Sequence, residues 1–191
     1  MGWGLSSLAE LADDLATVLL DADAIRAAVA RVAGEISRDH GESPPILVGV
    51  LKSAVVFLAD LVRAIDMPVV VDLVSVAGYG ERTSSGVVRI RKDLDHNIED
   101  RDVIVVEGII DSGLTLSYLL RNFRTRHPRS LKVCAFVNKR RQRVFDLVVA
   151  YQAFELPSEF VVGYGLDHRE RYRNLPVVGT LTNAALARES S

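Results

Sequence analysis

Asp111, Ser112 and Gly113 fall between an apolar run at residues 103–106 and a helix-like stretch that begins at Leu114, with Thr115 in its first turn. In open parallel sheets, ligands bind beyond the carboxyl ends of strands. A helix start there offers unpaired N–H groups and the positive end of a dipole. Residues 111–115 therefore form a candidate anion cradle: Gly113 permits close backbone approach, and Ser112 and Thr115 each bring a hydroxyl donor. A lone Asp-Ser-Gly is more often a plain helix cap, so the surroundings have to decide. Glu107 closes the apolar run, and everything from there to Leu114 reads as loop.

Other residues able to do chemistry stand where apolar runs end. Lys52 and Ser53 follow one such run, and Lys139 follows another. Phe160, Val161, Asp167 and Arg173 are gathered in the segment ELPSEFVVGYGLDHRERYR. Each has a plainer use: solvated lysines, a core aromatic, a turn acid, a surface ion pair. His40, His96, His127 and His168 have no metal-ligand spacing. The lone Cys134, inside LKVCAFV, reads as a buried structural thiol.

The elements that must position these groups follow from periodicity. Ile25, Val29, Val32 and Ile36 predict a helix over residues 21–38, with acids at its start. Residues 46–50 are wholly apolar, the pattern of a strand covered on both faces. A helix through Phe57, Leu58, Leu61 and Val62 follows, then a strand in PVVVDLVSV. Residues 102–108, a helix in LTLSYLLRNFRTR and a strand at 130–138 repeat the unit. Two such units predict an α/β fold: a mostly parallel sheet with helices on both faces. AGYGERTSSGVVRI, between the units, lacks apolar periodicity and reads as a mobile loop. The last third reads as short strands and loops ending in a frayed NAALARESS.

The 191 residues, 49% hydrophobic and 25% charged, suit one domain spanning 1–191. A net charge of −2 gives no global attraction to nucleic acid. No apolar stretch is long enough to span a bilayer, and the first residues carry acids where a secretory signal carries Lys or Arg, so a cytoplasmic location is expected.

The run VIVVEGIIDSGLT resembles the phosphoribosyl pyrophosphate (PRPP) signature of type I phosphoribosyltransferases. The likeness extends from about Val18 to Leu181 and is to the hypoxanthine-guanine phosphoribosyltransferase family. It implies that fold with a small hood, and a transferase that moves a 5-phosphoribosyl group from PRPP to hypoxanthine or guanine in purine salvage. It also implies residue roles. Lys52, Ser53 and Arg173 would meet pyrophosphate, residues 112–115 the 5-phosphate and Glu107 the ribose hydroxyls. Tyr79 would lie in a lid, Lys139 against the purine 6-oxo group, and Phe160 stacked on the ring. Val161 would offer its backbone to the purine edge. Asp111 would be the acid-base group at the attacking nitrogen, and Mg2+ would sit on Asp167 and Glu107. A homodimer or homotetramer is also implied, with the apolar helix after Lys52 as a contact.

Three positions depart from the family pattern: Ser53 replaces a glycine, Gly78 a serine, and Gly108 a second acid. They leave room for a divergent relative acting on a base such as a 7-deazapurine. A third reading is an RNA-binding regulator on the same fold, using Arg121, Arg124, Arg126, Arg129, Lys139, Arg140, Arg141 and Arg143; few aromatics are interleaved with them.

Overall fold

The computed structural model describes residues 8–41, 43–77, 89–139 and 148–187. Its centre is a six-stranded sheet of β2 (Ile46–Leu51), β3 (Val70–Ala77), β4 (Arg89–Lys92), β5 (Asp102–Ile110), β6 (Ser130–Asn138) and β7 (Tyr151–Glu155), in the order β4-β3-β2-β5-β6-β7. All pairings are parallel except β3 with β4. The run predicted as a doubly covered strand is β2, those at 102–108 and 130–138 are β5 and β6, and nearly every residue of β2 and β5 is buried.

Helix α2 (Ala22–His40) starts at Asp21, whose carboxylate accepts the Ala24 N–H at 2.8 Å. Its stripe of Ile25, Val29, Val32 and Ile36 is buried together with Phe57, Leu58 and Leu61 of α3 (Val55–Ala64) and with Ile104 and Val106 of β5. Burying each such side chain contributes about 1.5–3 kcal/mol, so a charge at Val32, wholly buried, would break this face. On the other face α4 (Leu114–Arg124) packs Leu116, Leu119, Leu120 and Phe123 against Val103, Val105 and Val133. Helices thus cover both faces, as expected.

A hood stands apart from this sheet. Its strands β1 (Leu15–Leu20) and β8 (Val178–Leu181) pair antiparallel, flanked by α1 (Leu8–Asp13) and α5 (Asn183–Ala187). Val162 joins it by a bridge to Gly179, and Val162, Tyr172, Leu175 and Leu181 share a small core.

The structure corrects several boundaries. β5 does not end at Glu107; it continues to Ile110, because Ile109 and Ile110 go on pairing with Val137 and Asn138. Of the expected loop AGYGERTSSGVVRI, Ala77 belongs to β3 and Arg89 and Ile90 to β4; residues 78–88 lie outside the described residues. The segment expected to fray begins as a helix instead: the Thr182 hydroxyl accepts the Ala185 N–H at 3.1 Å and Ala185 is buried. Among the described residues no helix is long and apolar enough to cross a membrane.

Candidate active site

β5 and the turn that follows it bring Glu107 and Asp111 to a cavity of about 130 Å³, lined by Glu107 and residues 109–116. Gly113 makes the turn possible: its φ of 79° is a conformation that L side chains resist. It leaves the N-terminus of α4 open. The first helical bond is Ser117 N–H to Gly113 O at 2.8 Å, so the N–H groups of Thr115 and Leu116 have no acceptor inside the helix. The Ser112 hydroxyl accepts the Leu114 N–H at a long 3.4 Å, and Asp111 is exposed. The plain-cap alternative fails for Asp111, because Gly113 is the cap residue and has no side chain with which to cap.

Glu107 is the unusual group. Burial pushes its carboxyl up to about 8, and its side of β5 faces α4. Lys139, also buried, donates its backbone N–H to Ile110 O at 3.0 Å, which places it beside the same strand end.

The turn after β2 brings Lys52 and Ser53 to this end of the sheet, through a cis Leu51–Lys52 peptide. Lys52 Nζ lies 3.0 Å from Glu170. Arg173 contacts Asp167 at 2.9 Å and Glu170 at 3.3 Å, and donates to Gly165 O at 2.8 Å. Its buried Nε–H has no acceptor among the described residues. The Lys52 hydrogen bond is the main reason that Glu170 titrates below the ordinary glutamate range. Lys52, Arg173, Asp167 and Glu170 thus form one network, in which Asp167 also accepts the Glu170 N–H at 2.9 Å. The turn acid and surface ion pair weighed from sequence are both present in it.

Phe160 is exposed and meets the His168 ring edge to face at 5.4 Å, while Val161 is buried and makes no backbone hydrogen bond among the described residues. The structure therefore gathers Glu107, residues 111–115 and Lys139 around one strand end, and Lys52, Asp167 and Arg173 in the adjoining ion network. Tyr79 lies outside the described residues, as do Gly78, Arg140, Arg141 and Arg143. Of the basic residues weighed for RNA, Arg126 is paired with Asp93 and Arg129 with Asp102.

Sequence reasoning missed Glu170, whose link to Lys52 spans a sequence separation that no local pattern reports. It also missed Tyr164, whose hydroxyl donates to Asp60 of α3 at 2.6 Å. The only sequence signal for either was a charged or aromatic residue within the segment already singled out.

The phosphoribosyl transferase domain family matches residues 16–169, most of the described fold. The hypoxanthine-guanine phosphoribosyltransferase of Mycobacterium avium is 49% identical over 175 residues, covering 88% of this chain and 86% of that protein. The chain belongs to the hypoxanthine-guanine phosphoribosyltransferase family. The Bacillus subtilis member is 44% identical over 172 residues, covering 90% of this chain and 96% of its own. Among solved structures, a hypoxanthine phosphoribosyl transferase of Trypanosoma cruzi superimposes with a TM-score of 0.87 at 36% identity, covering 94% of this chain and 98% of that one. The fold is accordingly that of a type I phosphoribosyltransferase, and the family is one of pentosyl-transferring enzymes.

Proposed function

We propose that this enzyme transfers the 5-phosphoribosyl group of PRPP to hypoxanthine or guanine, giving IMP or GMP and pyrophosphate. The observation that carries this reading is the open N-terminus of α4 beyond αL Gly113, with Glu107 and Asp111 lining the same cavity. Thr115 and Leu116 N–H groups and the Ser112 and Thr115 hydroxyls hold the 5-phosphate. Glu107 accepts from the ribose hydroxyls. The C1–pyrophosphate bond breaks, a bond from C1 to the purine nitrogen forms, and Asp111 takes or holds the proton at the purine N7 or N9 region. Phe160 stacks on the base, Val161 offers its free backbone groups to the purine edge, and Lys139 meets the 6-oxo oxygen. Lys52 and Arg173 leave Glu170 and Asp167 to bind the leaving pyrophosphate.

The donor chemistry at Glu107 and Asp167 suits Mg2+, which prefers carboxylate and phosphate oxygens. Burial raises the Glu107 carboxyl to about 8, which favours its neutral form, and a nearby cation would favour the charged one. A magnesium ion held by these carboxylates would supply positive charge against the leaving pyrophosphate.

The test is a product assay with PRPP, Mg2+ and a panel of hypoxanthine, guanine, xanthine and 7-deazapurines. Formation of IMP or GMP is expected. Turnover of deazapurines alone would replace the salvage assignment with the divergent-base reading that the departures at Ser53 and Gly108 favour. The protein is further expected to assemble as a homodimer or homotetramer, with exposed Val55 on α3 at the contact; a monomer in light scattering would refute this.

A further inference from the structure

β2 and β5 are paired as far as Gly49 and Val106 and then separate, as β2 turns into α3 through Lys52 and Ser53. Gly108, on β5, comes hard against that turn. A Cβ at 108 would stand 2.6 Å from the Ser53 carbonyl oxygen, 2.7 Å from its carbon and 2.8 Å from the Ser53 Cβ. The first two are backbone atoms, so no rotamer change relieves the overlap. On another side, a Cβ at Gly165 (φ +91°) would lie 2.5 Å from the same oxygen. The Ser53 carbonyl is therefore held in a slot whose walls, one from β5 and one from the base-side segment, both lack side chains. The turn itself is closed by Ala54 N–H to Val50 O at 3.3 Å and Val55 N–H to Lys52 O at 3.2 Å.

We propose that Gly108 is a positioning residue whose bare Cα seats the Lys52–Ser53 turn, so that Ser53 in place of a glycine and Gly108 in place of an acid are one coupled change. The proposal rests on the reading of this turn as the pyrophosphate-binding element. It assigns the departure at 108 to loop geometry, with Glu107 as the sole strand-end carboxylate for the ribose. Any side chain at 108 lifts the turn and carries Lys52 away from Arg173. A glycine at 53 removes the Cβ contact and lets the turn settle in another shape.

The experiment compares wild type, Gly108→Ala and the Gly108→Ala/Ser53→Gly double variant. Hydrogen exchange of a peptide spanning residues 51–58 is followed without ligand, and PRPP kinetics are measured at saturating hypoxanthine. For Gly108→Ala, exchange should quicken about fivefold and the KM for PRPP rise roughly tenfold, with kcat held within about threefold. The double variant should recover most of the KM. Unchanged exchange in Gly108→Ala overturns the proposal, as does an equal fall in kcat with a lowered melting temperature and no rescue by Ser53→Gly. Should wild type transfer to no base at all, the assigned function falls, and the exchange data alone decide whether Gly108 seats the turn.

Discussion

Replacing Glu107 by Gln removes an ionisable group from the interior and keeps its shape, which makes the energetic cost of that carboxylate measurable. In the folded chain burial raises its pKa from 4.5 to about 8. An acid raised in this way leaves stability intact below pH 4.5 and erodes it as pH climbs towards 8, because the unfolded chain ionises first. At about 1.4 kcal/mol per pKa unit, the erosion is about 1 kcal/mol at pH 5 and about 3 kcal/mol at pH 7. Burying the Gln amide has its own cost, but that cost does not vary with pH. The stability of Glu107→Gln relative to wild type should therefore improve by roughly 2.5 kcal/mol between pH 5 and pH 7. Urea unfolding at pH 5, 6 and 7, with a chelator present and no substrate, reads this directly. Parallel pH profiles for the two proteins would mean that Glu107 ionises freely, and would remove the basis for a cation-dependent carboxylate at the strand end.

Asp111→Asn should leave unfolding unchanged, since the side chain is exposed, while kcat falls by about two orders of magnitude or more; wild-type turnover would take Asp111 out of the chemistry. Glu170→Gln frees Lys52 and Arg173 from a partly exposed competitor, so pyrophosphate should bind up to about fivefold more tightly by calorimetry. Weaker binding would show that Glu170 orients these cations for the ligand. Tyr164→Phe deletes the hydroxyl bonded to Asp60 and should cost about 1 kcal/mol in urea unfolding. It should also raise the KM for the base; a KM change confined to PRPP would place the tether's influence elsewhere.

The parts of the fold legible in the sequence are those whose burial is uniform along the chain. β2, β5 and β6 are apolar on both faces, and α2 carries its buried stripe at regular helical spacing, so local pattern and tertiary position agree. The hood was expected only from the family resemblance, and its strand pairing was not legible in local pattern. β1 is mostly half-exposed or exposed, and its partner β8 lies at the other end of the chain, Leu15 opposite Leu181. No local periodicity reports such a pairing. The extension of β5 past Glu107 was hidden for a related reason: Gly108 has low strand propensity, and pairing with Val137 and Asn138 outweighs it. At the site, the phosphate turn was readable because it is contiguous, as was the segment holding Asp167 and Arg173, whereas Lys52 meets Glu170 only through folding.

Those acids give the pocket a further property. With Lys52 and Arg173 already engaged by Glu170 and Asp167, an anion bound there as proposed would have to exchange its oxygens for those of the carboxylates. A small singly charged ion offers too few contacts to dislodge both carboxylates, while a diphosphate can replace each contact it breaks. On the proposed reading, the network would favour ligands that present several oxygens at once over small singly charged ions.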